Sequence, residues 1–228
     1  MFKTPPKPMR LSLRALAALL RYPEAELRAA MPELLDALRS EGALKPARLA
    51  EIDALCRHLQ HGDGCEIEVQ YVETFDRSRS ASLHLFEHLH GDSRQRGPAL
   101  AELQQTYERA GLMLLPGELP DYLPVLLEFA STQPVPTALG LLAETQELLN
   151  KVFSALQQRQ NPYASVLAAV IELAGGSAHA VPLAPEPALD ETWAEPAPFD
   201  GCSTQGQARP GSPQPIHIVR KNSAGVAA

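Results

Sequence analysis

Between Tyr71 and Gly97 the chain reads YVETFDRSRSASLHLFEHLHGDSRQRG, concentrating Asp76, Arg77, Arg79, His84, Glu87, His88, His90, Asp92, Arg94 and Arg96 in one short stretch. An amphipathic helical scaffold scatters such groups over its solvent face, so a block this dense marks either a site or a fixed polar network. Within it, His84-Leu-Phe-Glu87-His88 fits the H-x-x-E-H pattern of one class of zinc peptidases. On a helix, His84 and His88 would lie one turn apart and could share a metal, with Glu87 beside them. A third ligand would have to come from Glu144, Glu147 or Glu172, none of which sits in a recognisable motif. The pattern fixes only three positions and is easily met by chance. The competing account has these imidazoles capping, hydrogen-bonding or stacking at a helix surface.

Other chemistry finds little purchase. The sequence has no G-x-G-x-x-G, no G-x-x-x-x-G-K-[ST] and no G-x-S-x-G, and its serines have no base at a telling spacing. Charge is unevenly spread: residues 51–150 carry six Lys/Arg against sixteen Asp/Glu, whereas residues 1–50 are net positive. An acidic middle argues against nucleic acid, since phosphate binding needs a basic footprint, and favours a basic partner. The alternative is a solvated acidic face. Cys56, Cys65 and Cys202 form no CxxC pair, which fits a reducing cytoplasm better than a disulfide framework or zinc site. Lys3, Lys7 and Arg10 before LSLRALAALL faintly resemble a signal peptide, but Arg14 interrupts the apolar run and RYPE follows it. An amphipathic first helix is expected instead, and no run of apolar residues is long enough to span a membrane.

The elements that must position the block read as helical throughout. Leu13, Leu16, Ala17 and Leu20 mark a first helix, stopped near Tyr22-Pro23. Pro32 starts a short helix closed by Gly42, and Pro46 opens another through Ile52, Leu55 and Leu59. Residues 67–71 alternate like a strand, yet Tyr71, Val72 and Phe75 return to helical spacing, so helix is expected there. Gly97-Pro98 opens a helix with Leu100, Leu103 and Tyr107 on one face and Gly111 as its cap. Asp121 is placed to N-cap a helix carrying Val125, Leu126 and Phe129, with Pro124 in its first turn. The longest helix follows Pro136; its double apolar stripe predicts packing on two sides, near the centre of a bundle. A last helix runs from Pro162 to about Leu173 and ends at Gly175-Gly176. Eight of the 21 prolines fall between Pro182 and Pro215, where no apolar period survives. The expected organisation is therefore a flexible 1–10, an all-α helical bundle over 11–176, and a largely disordered Pro/Ala/Gly-rich tail over 177–228. Trp193 and Phe199 are the only large aromatics of that tail, and it is expected to be dispensable for folding.

Two blocks also carry a family resemblance. Ser-Leu-His84-Leu-Phe-Glu-His-Leu-His-Gly-Asp92-Ser-Arg94-x-Arg96-Gly, and Gly117-Glu-Leu-Pro-Asp121-Tyr-Leu-Pro124 followed by Leu127-Glu-Phe129, resemble the signature of the respiratory nitrate reductase assembly chaperones. These are the NarJ-type delta subunits of the redox-enzyme maturation family. The likeness extends from Leu11 to the Trp193-Ala-Glu-Pro patch and Phe199. One departure concerns the wider family, whose second motif has Asp-His where this chain has Asp121-Tyr122; Tyr is expected in the nitrate reductase branch.

The resemblance implies an all-α, non-enzymatic, cytoplasmic chaperone that holds no cofactor stably. Its partner would be the apo catalytic (alpha) subunit of nitrate reductase, bound through an N-terminal amphipathic segment. The chaperone would keep that subunit open for insertion of the molybdenum–bis-guanine-dinucleotide cofactor, delay its docking on the membrane anchor, and be absent from the finished enzyme. Cofactor-insertion machinery is a further partner the resemblance admits. The candidate partner-binding residues are Tyr71, Phe75, Asp76, His84, Phe86, Glu87, His88, Asp92, Arg94, Arg96, Glu118, Asp121, Tyr122 and Phe129. As a group the polar block is expected to fix a loop between helices and to shape one wall of the binding region. A zinc-dependent hydrolase built on His84, Glu87 and His88, and a generic helical adaptor, are the alternatives.

Overall fold

The computed structural model describes residues 8–91 and 93–183, and these are all-α. The helices are α1 (Arg10–Leu19), α2 (Ala25–Ala29), α3 (Met31–Glu41), α4 (Pro46–His61), α5 (Gly64–Tyr71), α6 (Leu85–His90), α7 (Arg96–Arg109), α8 (Leu123–Thr132), α9 (Val135–Gln158) and α10 (Ala164–Leu173). A five-residue π-helical turn, Val72–Asp76, continues α5. The 67–71 stretch that alternates like a strand is thus helical, as Phe75 and its neighbours predict.

Local chemistry explains most boundaries. Pro32 and Pro46 sit in first turns, where a missing N–H costs nothing. Gly42 ends α3 in the left-handed region at φ 61°, open to glycine without strain. The N-terminus of α1 is capped from outside: Glu41, at the end of α3, accepts from the Leu11 and Ser12 amides at 3.0 and 2.7 Å. That carboxylate satisfies two otherwise orphaned donors and sits favourably against the helix dipole. Met9, counted from the sequence with a flexible start, is buried just before α1.

Packing places α1 against α8, α3 and α10, and α10 also against α9 and α4. From Val166 to Ile171 every residue of α10 is fully buried. So α10 is the innermost helix, where the double stripe of α9 pointed to α9. The stripes of α9 do pack on α8 and α10, but Glu144, Glu147 and Lys151 remain exposed. The apolar α8 segment LPVLLEFAST buries Leu123, Val125, Leu126, Leu127 and Phe129, each worth roughly 1.5–3 kcal/mol on transfer from water.

Asn150 and Ser154 interrupt the apolar seam of α9 and are buried. The segment following α10 explains them. The His179 amide donates to Asn150 Oδ1 at 3.1 Å and the Val181 amide to Ser154 Oγ at 2.8 Å, while Leu183 packs on the core. Residues 177–183, assigned to the tail from sequence, therefore form a strap on α9; Trp193 and Phe199 lie outside the described residues. A chain ending at Gly176 is expected to melt about 3–6 °C below one ending at Leu183, reflecting one to two kcal/mol of strap contacts. Paired calorimetric scans of the two truncations measure this, and equal melting temperatures would show the strap to be energetically idle.

Burial also sets an alkaline limit. It pushes the Cys56 thiol up from 9.0 to about 12, and raises the phenols of Tyr71, Tyr107 and Tyr163. The folded state thus favours the neutral forms. Their contribution is complete below the unfolded thiol's value and is lost as pH rises toward the folded one. Urea midpoints are expected to hold level to about pH 8.5 and to fall steadily above about pH 9. In Cys56→Ala the first part of that fall flattens, although overall stability is lower; an unchanged slope would remove Cys56 from the account.

Candidate functional site

The two motif blocks meet through backbone. Residues 83–85 and 121–123 pair antiparallel around His84 and Tyr122: the Leu85 amide donates to the Asp121 carbonyl at 3.0 Å and the Leu123 amide to the Leu83 carbonyl at 2.9 Å. This short pairing turns His84 onto Tyr122, their rings stacked with centroids 5.2 Å apart. His84 consequently sits in extended conformation just before α6 and not on it. The one-turn spacing with His88 that a shared metal needs is absent. His88 Nε2 instead bonds the Ser82 carbonyl at 2.9 Å, and Glu172, a possible third ligand, is ion-paired with Arg48 at 2.9 Å. Among the described residues no group of three or more His, Cys, Asp or Glu side chains is arranged to hold a metal ion.

Asp121 does a different job from the one its sequence position suggests. The cap position of α8 is Tyr122, and no side chain caps it. Asp121 is fully buried and accepts from the Phe86 amide at 3.1 Å, so it caps the N-terminus of α6, thirty-five residues away. Its other oxygen faces His84 Nδ1 at 3.5 Å, and Arg96 lies 3.7 Å away. Arg96 also pairs with Glu87 at 3.3 Å. The block's His84, Glu87 and Arg96 thus form a network closed by a residue from the second motif. Its physical role is to hold the 83–85 strand-like loop and α6 in place.

In front of this network opens a cleft of about 290 Å³, lined by Tyr22, Tyr71, Phe75, Asp76, Leu83, His84, Gly117, Glu118, Leu119 and Tyr122. Each wall has a cause. The π-helical turn carries Phe75 and Asp76; such turns shift side-chain direction relative to an α-helix and recur at functional sites. The end of α1 contributes its Leu20 carbonyl, which accepts from Tyr71 Oη at 2.7 Å and Tyr122 Oη at 3.4 Å. Tyr71 is fixed further by edge contacts with Tyr22 and Tyr163 and by Phe75 at 4.8 Å. Tyr22 Oη donates to Glu68 at 3.0 Å. The phenols facing the cleft lie above their ordinary value: Tyr71 and Tyr122 chiefly through burial, Tyr22 chiefly through its bond to Glu68. The Asp76 carboxylate adds in the same direction at all three. On the rim, Arg21 spans Glu118 and Glu128, each at 3.3 Å.

Beside the cleft runs an exposed apolar ledge. In the 111–115 segment Leu112 and Leu114 pack inward on Tyr107, Val125 and Phe129, which turns Met113 and Leu115 outward, 87% and 65% exposed. Leu119, 39% exposed, joins the ledge to the cleft.

Of the residues predicted to bind a partner, Tyr71, Phe75, Asp76, His84, Glu118 and Tyr122 share the cleft, with Asp121, Glu87 and Arg96 behind it. Phe86 is half-buried against the core and makes an edge contact with His90; Arg94 is exposed, away from the cleft lining. Phe129 belongs to the separate Tyr107–Val125 cluster, and Asp92 lies outside the described residues. Sequence reasoning missed Tyr22, Leu83 and the Met113–Leu119 ledge. Tyr22 marks a helix stop in the sequence, and its exposure, which suits a binding surface, emerges only in the fold. The GLMLLPG run, apolar yet bounded by glycines, was the legible trace of the ledge.

This helical fold is shared with a maturation protein of known structure. Over 75% of the chain and 94% of its counterpart, it superposes on a protein from Archaeoglobus fulgidus described as a redox enzyme maturation protein, with a TM-score of 0.53 at 19% identity. Residues 20–169 match the nitrate reductase delta subunit family. The chain is 36% identical over 164 residues to the nitrate reductase molybdenum cofactor assembly chaperone NarJ of Escherichia coli K12, covering 72% of this chain and 70% of that one. It is 31% identical over 157 residues to the protein named NarJ in Bacillus subtilis strain 168, covering 69% and 84%. The chain belongs to the nitrate reductase delta subunit family, and is an assembly chaperone, not an enzyme.

Proposed function

We propose that this chaperone serves nitrate reductase by binding the N-terminal amphipathic segment of the apo catalytic subunit at the Tyr22–Tyr71–Tyr122 cleft and the Met113–Leu119 ledge. The observation that carries this reading is their adjacency: an exposed apolar strip runs into an aromatic cleft with carboxylates on its rim. A helical segment lays its apolar face on such a strip and its basic residues against the rim. Apolar contact supplies most of the affinity, and the carboxylates supply rate and discrimination. Holding the segment keeps the subunit in a state that accepts the molybdenum–bis-guanine-dinucleotide cofactor, and delays its docking on the membrane anchor. The chaperone acts on the cytoplasmic side and keeps no cofactor itself. Among its described helices none is long and apolar enough to cross a membrane.

The test is titration calorimetry of the full chain with a peptide copying the catalytic subunit's N-terminal segment. Binding near 1 µM, about −8 kcal/mol, is expected. Tyr122→Ala and Leu119→Asp should each weaken it by about tenfold or more while circular dichroism stays unchanged. No heat of binding at about 100 µM peptide would overturn the proposal.

A further inference from the structure

The cleft is too small for a helix and has a chemistry of its own. At about 290 Å³ it falls at the bottom of the range for ligand pockets, with room for one side chain. Its lining includes the aromatic side chains Tyr22, Tyr71, Phe75 and Tyr122, and its two formal charges, Asp76 and Glu118, are both negative. Arg21 already engages Glu118 together with Glu128. Asp76 is exposed and has no ion pair among the described residues. Aromatic faces carry negative potential, so rings gathered around an unpaired carboxylate make a receptor for an organic cation. A planar guanidinium satisfies both demands at once, stacking on a ring while forking two hydrogen bonds to a carboxylate. A lysine ammonium is a compact, strongly hydrated charge and loses more on entry.

We propose that this cleft is a single-residue subsite for an arginine side chain, its guanidinium stacked on the Tyr22 and Tyr122 faces and paired with Asp76. As the anchor of a docked segment, it rests on the function proposed above; as a guanidinium site, it is testable without any partner. The arginine fixes the register of the segment, while the neighbouring apolar ledge takes the residues beside it. Tyr122, held by its stack on His84 and its bond to the Leu20 carbonyl, presents a preorganised wall. Preorganisation of this kind lowers the entropy lost on binding.

The first experiment titrates N-acetyl-arginine methylamide into the full chain and follows tyrosine ring signals by NMR. The citrulline counterpart, equal in shape but uncharged, and the lysine counterpart serve as controls. Saturable shifts of the Tyr22 and Tyr122 signals with the arginine probe are expected, none with citrulline and weaker ones with lysine. Asp76→Asn, at an exposed position that leaves folding intact, should weaken the arginine probe about fivefold. Equal shifts with citrulline or lysine, no shift with arginine, or an unaltered affinity in Asp76→Asn would each overturn the subsite.

The second experiment replaces each arginine of the catalytic-subunit peptide by citrulline. One position should lose about tenfold in affinity, and in Asp76→Asn that same replacement should cost little, since the two changes share one interaction. A peptide that binds yet tolerates every replacement leaves the partner reading standing and sinks the subsite. An arginine probe that binds in a protein deaf to the peptide does the reverse.

Discussion

Asp121→Ala is expected to cost about 3 kcal/mol and to lower the melting temperature by roughly 6–12 °C. Three losses combine. The α6 N-terminus loses its side-chain cap at the Phe86 amide. Arg96, about three-quarters buried, loses the fully buried carboxylate 3.7 Å away and keeps only Glu87. His84 Nδ1 loses the oxygen it faces. Stripping a largely buried cation of one of its two carboxylates and uncapping a helix start is what makes such a deletion expensive. Asp121→Asn retains an oxygen for Phe86 and removes only the charge, so roughly half of the loss should return. Melting curves of the two variants, with hydrogen exchange of residues 83–90, measure this. Were Asp121 simply a cap for α8, alanine would cost only about 1 kcal/mol and exchange would rise in residues 123–126 instead.

Tyr107→Ala has an effect of similar size but different reach. Tyr107 is the one fully buried residue of α7. Its ring meets Phe129 with centroids 4.6 Å apart, and its hydroxyl donates to the Pro120 carbonyl at 2.9 Å. With α6 the chief helical neighbour of α7, this side chain, helped by Leu103, ties the far end of α7 to the body. Truncating a buried aromatic costs about 3–5 kcal/mol. Here the loss is spent on detaching α7 and the ledge that follows it. Amide protection should collapse over 96–115, while α1, α8 and α10 retain theirs. Peptide binding should weaken as well, because Met113 and Leu115 are positioned by the inward packing of Leu112 and Leu114 on the same cluster. Tyr107→Phe keeps the ring and should cost only about 1 kcal/mol. Uniform loss of protection across all helices would show that α7 unfolds with the whole domain.

Much of this was legible in the chain. Helical periodicity, first-turn prolines and glycine stops located α1, α3–α5 and α7–α10 to within a few residues, because those signals act over a single turn; the short α2 and α6 leave no such trace. The block of residues 71–97 and the GELPDYLP motif named six of the cleft residues, since clustered charge has no use in a plain amphipathic scaffold. Family membership, too, was readable from those two motifs.

What periodicity could not supply was partners across the fold. Asp121 carries an N-cap's residue type one residue before the cap position of α8, yet it caps α6, because the pairing of residues 83–85 with 121–123 brings the Phe86 amide to its carboxylate. His84 and His88 share a motif but not a helix, since the same pairing holds His84 extended. Asn150 and Ser154 look misplaced in an apolar seam until the 177–183 strap brings two backbone amides to them. Tyr22 reads as the end of a helix and becomes a cleft wall only when α1 ends beside Tyr71. Side-chain type and spacing determine which elements form and which surfaces they need to bury; hydrogen bonds and ion pairs between distant segments depend on how those surfaces pack, and only the tertiary structure decides that.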